Sequence, residues 1–180
     1  MSIKCANERG FDDFLARHQD TESDTSCRRF NNAPEPGRSL LNVGFGGIGS
    51  TPINVPLITP LPVVSVSINT AAMCNPKVLL DFTSIIFLPA NVSVNLNFTI
   101  VKTVGNGCPH AISGIYTFAE TTGAGVIESE SFTFQYCDCN PVHGNTIYTV
   151  QLEPSSSIIP AGTVLSINNA VLSALAVETL

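Results

Sequence analysis

From Asn91 to Ile100 the chain alternates strictly, with Val92, Val94, Leu96, Phe98 and Ile100 set between Asn91, Ser93, Asn95, Asn97 and Thr99. A period of two places the apolar set on one face of an extended strand and the polar set on the other, an arrangement that a helical period scatters. Similar alternation recurs over residues 64–69, 131–136 and 147–153. Residues 77–88 are more continuously apolar and read as a central strand buried on both faces. Turn residues separate these runs at Asn75-Pro76, Pro89-Ala90-Asn91, Gly105-Asn106-Gly107, Thr122-Gly123-Ala124-Gly125, Asn140-Pro141, Gly144-Asn145 and Pro160-Ala161-Gly162. With residues 40–45, 112–118 and 163–177 added, the count reaches eight or nine strands. That spacing predicts an all-β, antiparallel sandwich of jelly-roll type. Ala170 to Val177 has a helical composition, but its Ser and Asn breaks and the lack of a cap favour strand. Pro52, Pro56, Pro60 and Pro62 make the stretch before Val64 an extended connector or irregular edge, because proline cannot donate to a ladder.

The alternating body begins after Pro34-Glu35-Pro36-Gly37, and what precedes it is of another kind. Residues 1–38 hold 13 of the 22 charges, with six of the eight bases and seven of the 14 acids. The division predicts a connector arm over 1–38 and a sandwich domain over 39–180. Between Glu8 and His18 the spacing of Phe11, Phe14 and Leu15, with acids early and bases late, predicts a short amphipathic helix, too short to be stable alone. Gln19 to Asn32 is polar and mixed in charge, the composition of an arm that orders against something else. The remaining 142 residues carry two bases, Lys77 and Lys102, and seven acids. A body so poor in charge presents Ser, Thr and Asn to water or is partly covered by neighbours. With a net charge of -6 the chain is a poor ligand for nucleic acid or an anionic membrane. Its apolar runs are too short and too interrupted to span a bilayer as a helix. The opening Met-Ser-Ile-Lys-Cys has no apolar leader followed by small residues. The expectation is therefore that a signal has been removed or that export takes another route.

Motifs of enzyme chemistry are sparse. Gly44, Gly46 and Gly49 fit the G-x-G-x-x-G pattern, yet a dinucleotide site needs a helix directly after the glycines, and here Ser50-Thr51-Pro52 follows. A hinge or bulged strand is the better reading. There is no G-x-S-x-G elbow, and His18, His110 and His143 sit in polar or turn-like contexts. Glu128 and Glu130 lie two apart on a strand and read as decoration of a solvated sheet face, since a glycosidase pair must face across a cleft. Asn91-Val92-Ser93 and Asn97-Phe98-Thr99 match the glycosylation sequon but are ordinary strand alternation. No catalytic, cofactor-binding or metal-ligating set is assigned.

The cysteines are the most informative local chemistry. All six, Cys5, Cys27, Cys74, Cys108, Cys137 and Cys139, are disulfide candidates. Cys74-Asn75-Pro76 and Cys139-Asn140-Pro141 repeat a tripeptide, Cys108-Pro109-His110 adds a third turn, and His143 follows Cys137-Asp138-Cys139. Such groupings could form a metal site if the turns converged at one end of the sandwich, and buried free thiols are a further alternative. A bond between Cys137 and Cys139 themselves would be strained. A covalent link from Cys5 or Cys27 would tie the arm to its own body or to another subunit.

The segments Cys74-Asn75-Pro76-Lys77-Val78-Leu79-Leu80-Asp81-Phe82-Thr83-Ser84-Ile85-Ile86, Ser131-Phe132-Thr133-Phe134-Gln135-Tyr136-Cys137-Asp138-Cys139-Asn140 and Asn168-Asn169-Ala170-Val171-Leu172-Ser173-Ala174-Leu175-Ala176-Val177 together resemble a family of β-sandwich proteins from anaerobic spore-forming bacteria. In layout that family is similar to endospore appendage subunits, jelly-roll pilins whose N-terminal connector enters the neighbouring subunit and is locked by disulfides. The arm here is longer than such a connector, and its two cysteines stand 22 residues apart rather than adjacent. The resemblance implies a non-catalytic, self-assembling subunit of an extracellular or spore-surface filament whose partners are copies of itself. In that expectation Phe11, Phe14 and Leu15 anchor the arm, and Arg28 and Arg29 meet the acidic body. Head-to-tail contact is heterologous and open-ended, as a fibre requires. The alternative is a surface sandwich binding carbohydrate or another ligand, which the absence of Trp and the presence of just three Tyr disfavour.

Overall fold

Alternation resolves into two facing antiparallel sheets. The computed structural model describes residues 37–52, 59–154, 156–159 and 164–178. Among them run β1 (Ser39–Pro52), β2 (Leu61–Asn69), β3 (Pro76–Leu88), β4 (Ser93–Val104), β5 (His110–Ala111), β6 (Tyr116–Thr121), β7 (Glu128–Asp138), β8 (Asn145–Leu152), β9 (Ser157–Ile159) and β10 (Val164–Glu178). One sheet has the order β1-β10-β3-β7; the other runs β2-β8-β4, with β5 and β6 on the far side of β4 and β9 continuing the β8 side. Apart from the short β5 and β9, the order 1-10-3-7 faces 2-8-4-6, which is jelly-roll connectivity. The arm, its short helix, Phe11, Phe14, Leu15, Arg28, Arg29, Cys5 and Cys27 lie outside the described residues, as does most of the proline-rich connector.

Inward residues of both sheets build the core. Leu80, Phe82 and Ile86 of β3 meet Leu96, Phe98 and Ile100 of β4 and Tyr148, Val150 and Leu152 of β8, all fully buried. Phe82, Phe98, Phe132 and Phe134 form an aromatic cluster with ring centroids 4.8 to 6.5 Å apart. Tyr116 of β6 caps it, stacked on Phe134 at 4.0 Å and 8°. The 164–178 segment is a strand, as the Ser and Asn breaks indicated. Asn75 and Asn91 take positive φ of 43° and 59° in two of the expected turns.

Three expectations need correcting. Residues 76–88 are central in their sheet but not buried on both faces: Val78, Leu80, Phe82, Ile86 and Leu88 are buried while Leu79 and Ile85 are exposed, because a two-layer sandwich covers one face of each sheet. The strand placed at 112–118 is Tyr116–Thr121, since the Ser113 hydroxyl accepts the Ile100 N–H at 2.9 Å and interrupts the ladder before Gly114. Glu128 and Glu130 share the parity of Phe132 and Phe134, so they lie on the core-facing side of β7, where Glu130 is exposed because the opposite sheet no longer covers it.

The glycine pattern at 44–49 has a packing cause. β1 crosses β2 where the two sheets meet edge to edge, and a Cβ on Gly44 would land on the Ser65 carbonyl oxygen, one on Gly46 on that of Val63. Asn42 donates its side-chain amide to the Ser67 carbonyl at 2.6 Å in the same crossing. Register shifts after Gly46 make β1 a bulged strand.

Farther along, one carboxylate ties the sheets together. Asp138, at the end of β7, accepts from Lys102 Nζ of β4 at 2.6 Å and from the Tyr148 hydroxyl of β8 at 2.8 Å through the same oxygen, all three side chains being buried. Burial pushes the Tyr148 phenol well above the ordinary tyrosine range, and the bond to Asp138 and its negative charge add to the rise.

Two measurements check these contacts. Gly44→Ala is expected to lower stability by about 1–3 kcal/mol in urea unfolding, because the obstructing atoms are backbone. Gly49→Ala, with nothing within 4 Å of the added Cβ, is expected to stay within about 0.5 kcal/mol of the parent. Lys102→Met leaves a buried carboxylate without its cation and is expected to cost about 3–5 kcal/mol, and Tyr148→Phe about 1.5–3 kcal/mol. The folded phenol holds its proton beyond the range of the unfolded one. Its stabilisation is therefore complete below about pH 10 and declines as pH rises above it, and Tyr148→Phe flattens that decline.

Candidate functional site

Every strand that ends or begins near a cysteine does so at the same pole of the sandwich. β2 ends at Asn69 and β3 begins at Pro76, β4 ends at Val104, β7 ends at Asp138 and β8 begins at Asn145. The intervening turns are stitched together: Thr70 N–H donates to the Gly144 carbonyl at 3.0 Å, Gly105 N–H to that of Asn145 at 3.2 Å, and Thr70 Oγ1 to that of Val142 at 3.2 Å. The first residues of the body are held there too. Glu178 accepts the backbone N–H of Arg38 at 3.0 Å and that of Cys74 at 2.9 Å, and the Arg38 guanidinium donates to the Ala72 carbonyl at 2.9 Å.

The cysteine turns thus converge, but the four sulfurs of the body differ in state. Cys74 and Cys108 are disulfide-bonded. Cys137 and Cys139 are exposed free thiols with Sγ atoms 3.5 Å apart. Their separation follows from strand parity: Asp138 points inward to Lys102 and Tyr148, so its two neighbours both point outward. Burial raises the Cys137 thiol above the ordinary cysteine range, Cys139 adds to the rise, and the Lys77 ammonium opposes it. Cys139 lines an open cleft of about 330 Å³ with Lys77, Asn140 and His143. Among the described residues no three His, Cys, Asp or Glu side chains gather closely enough to hold a metal ion. His110 sits on β5, away from a shared ligand set.

A second feature begins beside those thiols. On the outer face of the four-stranded sheet, the register aligns Leu41, Leu175, Leu79 and Cys137 in one row across all four strands. A parallel row begins with Phe45 and Val171, and Val43 lies between the two. Phe45 is 79% exposed and Leu41 61%, on an edge strand where Val43 is exposed as well. Lys77 and Asp81 are the charged residues of this face among the described residues. The apolar side chains of this face are interleaved with Ser173, Asp81 and Gln135 in the row of Val43 and with Thr83 and Thr133 in the row of Phe45, and the most exposed of them stand on β1 at the edge of the sheet.

The sequence reading did not single out Lys102, Asp138, Tyr148 or Glu178. Parity could have found the first three. Lys102 falls in step with Phe98 and Ile100, Asp138 with Phe134 and Tyr136, and Tyr148 with Val150 and Leu152, all inward positions. The tyrosines are drawn toward the core: Tyr148 is buried, Tyr136 packs partly buried against the core, and Tyr116 stacks on Phe134 and donates to the Gln135 carbonyl at 3.2 Å.

Among solved structures, the chain is similar to the CBM22-1 xylan-binding domain of Paenibacillus barcinonensis Xyn10C, at 12% identity and a TM-score of 0.33, over 82% of this chain and 100% of that one. It is similar to CBM35 from Cellvibrio japonicus Abf62, at 15% identity and a TM-score of 0.26, over 76% of this chain and 92% of that one. A CBM4 structure matches at 11% identity and a TM-score of 0.24, over 72% and 93% of the two chains. These likenesses concern the β-sandwich architecture and not a binding site. No curated protein matches the chain. Residues 38–177, nearly the whole alternating body, match the family described as "Domain of unknown function (DUF4489)", and the chain belongs to that family.

Proposed function

We propose that the chain is a non-catalytic, self-assembling structural subunit of a filament or layer outside the cell or on a spore surface. The supporting observation is the outer face of the β1-β10-β3-β7 sheet, where Leu41 and Phe45 of the edge strand β1 are turned to water. Burying such a face against a neighbour contributes roughly 25 cal/mol per Å² of apolar area. The near absence of charge on the face means that few ions would be desolvated in doing so. In this reading residues 1–38 supply the connector, with Phe11, Phe14 and Leu15 as its apolar anchors, Arg28 and Arg29 meeting the acidic body, and Cys5 and Cys27 available for a covalent link. A contact between unlike surfaces of this kind propagates without closing.

A ligand-binding module is the second reading. The open cleft lined by Lys77, Asn140 and His143 speaks for it, and the burial of Tyr148 and the stacking of Tyr116 on Phe134 speak against it.

Leu41→Asp combined with Phe45→Asp is expected to leave a folded protein, because both side chains are solvent-exposed, and to reduce the particles seen by sedimentation and negative-stain microscopy to monomers. Deleting residues 1–30 is expected to do the same. Filaments that persist after both changes would dismiss the assembly reading. A glycan-array signal that Phe45→Ala abolishes would replace it with the ligand-binding one.

A further inference from the structure

We propose that Cys137 and Cys139 form a two-thiolate site for a soft monovalent cation of the copper(I) class. The proposal is independent of assembly and rests on the geometry of one strand end. The two sulfurs are exposed, share one side of β7 and stand 3.5 Å apart. The side on which both emerge is fixed by the residue between them, whose carboxylate is held inside the core by Lys102 and Tyr148, while rotation about each exposed Cα–Cβ bond opens the sulfurs to the wider separation of a near-linear S–Cu–S unit. The backbone that carries the pair is pinned a second time by the Lys102 ammonium, which reaches the Asn140 carbonyl at 3.5 Å. A dithiol mounted on a buried anchor loses less freedom on binding than one on a free loop.

Ligand count selects the ion. Zinc and iron–sulfur centres on thiolates require about four protein ligands, whereas no three candidate ligands gather here among the described residues. Copper(I) is thiophilic and is satisfied by two thiolates. Binding exchanges two S–H protons for two S–Cu bonds with no change of oxidation state: two thiols and Cu⁺ give an anionic bis-thiolate complex and two protons released to solvent. Lys77 lines the same cleft as Cys139, so its ammonium balances the negative charge of that complex.

The test is anaerobic titration of the full-length protein with copper(I) held by bicinchoninate as competing chelator. The unmodified chain is expected to withdraw one equivalent that Cys137→Ser, Cys139→Ser and the double variant each fail to withdraw, with at least a tenfold loss of affinity in either single variant. Both positions are exposed, and circular dichroism checks that the variants keep their strands. Retention of that equivalent by the single variants would overturn the proposal. So would stoichiometric zinc(II) binding lost in the same variants, because it would show a fuller ligand set. Alkylation and mass spectrometry finding the pair already oxidised in anaerobically purified protein would overturn it as well.

Discussion

Asp138 is the point on which the two sheets depend at the cysteine pole. Its inward carboxylate receives a cation from β4 and a phenol from β8 while its own backbone belongs to β7. A charge so buried is tolerated because its partners are themselves held by strands and because each bond is short. The same fact fixes what lies outside. With the middle residue of Cys137-Asp138-Cys139 committed to the core, the flanking thiols have no choice of side. Interior electrostatics and exterior chemistry are two consequences of a single parity.

The opposite constraint operates along β1. There the sheets come together through the absence of side chains, with Gly44 and Gly46 letting one backbone rest on another. The crossing closes one flank of the sandwich, and it leaves the alternate residues of β1, Leu41, Val43 and Phe45, directed outward. Around the crossing β1 turns Gly44 and Gly46 toward the other sheet and Val43 and Phe45 to water, which inverts the usual economy of an edge. That inversion is the physical reason for regarding the outer face as half of a contact.

Much of this was legible in the chain. Period two in 91–100 and 147–153 fixed the strands and the two-layer plan, and the turns fell at Asn75, Asn91, Gly105 and Gly144, where the backbone takes positive φ. The 164–178 strand was readable against its helical composition because Ser166, Asn168 and Asn169 interrupt it. What misled was the apolar run 77–88, where Leu79 and Ile85 looked like core. Hydrophobicity records what a side chain prefers, not whether a partner is present to cover it. Ser113 could not be foreseen either, since its effect depends on meeting the Ile100 N–H across a turn. Convergence of the cysteine turns at one pole needed the strand order, which no local pattern encodes.

The clamp made by Glu178 has a further consequence. Because it holds Arg38 and Cys74 at once, and because Glu178 N–H donates back to the Arg38 carbonyl at 2.9 Å, the first and last strands meet side by side. In a chain shortened to the body, a short peptide bridging those two positions would therefore join the first and last strands along the edge where they already pair. New chain ends could then be opened in the Gly123–Gly125 turn at the far pole, rerouting the polypeptide through an unchanged architecture.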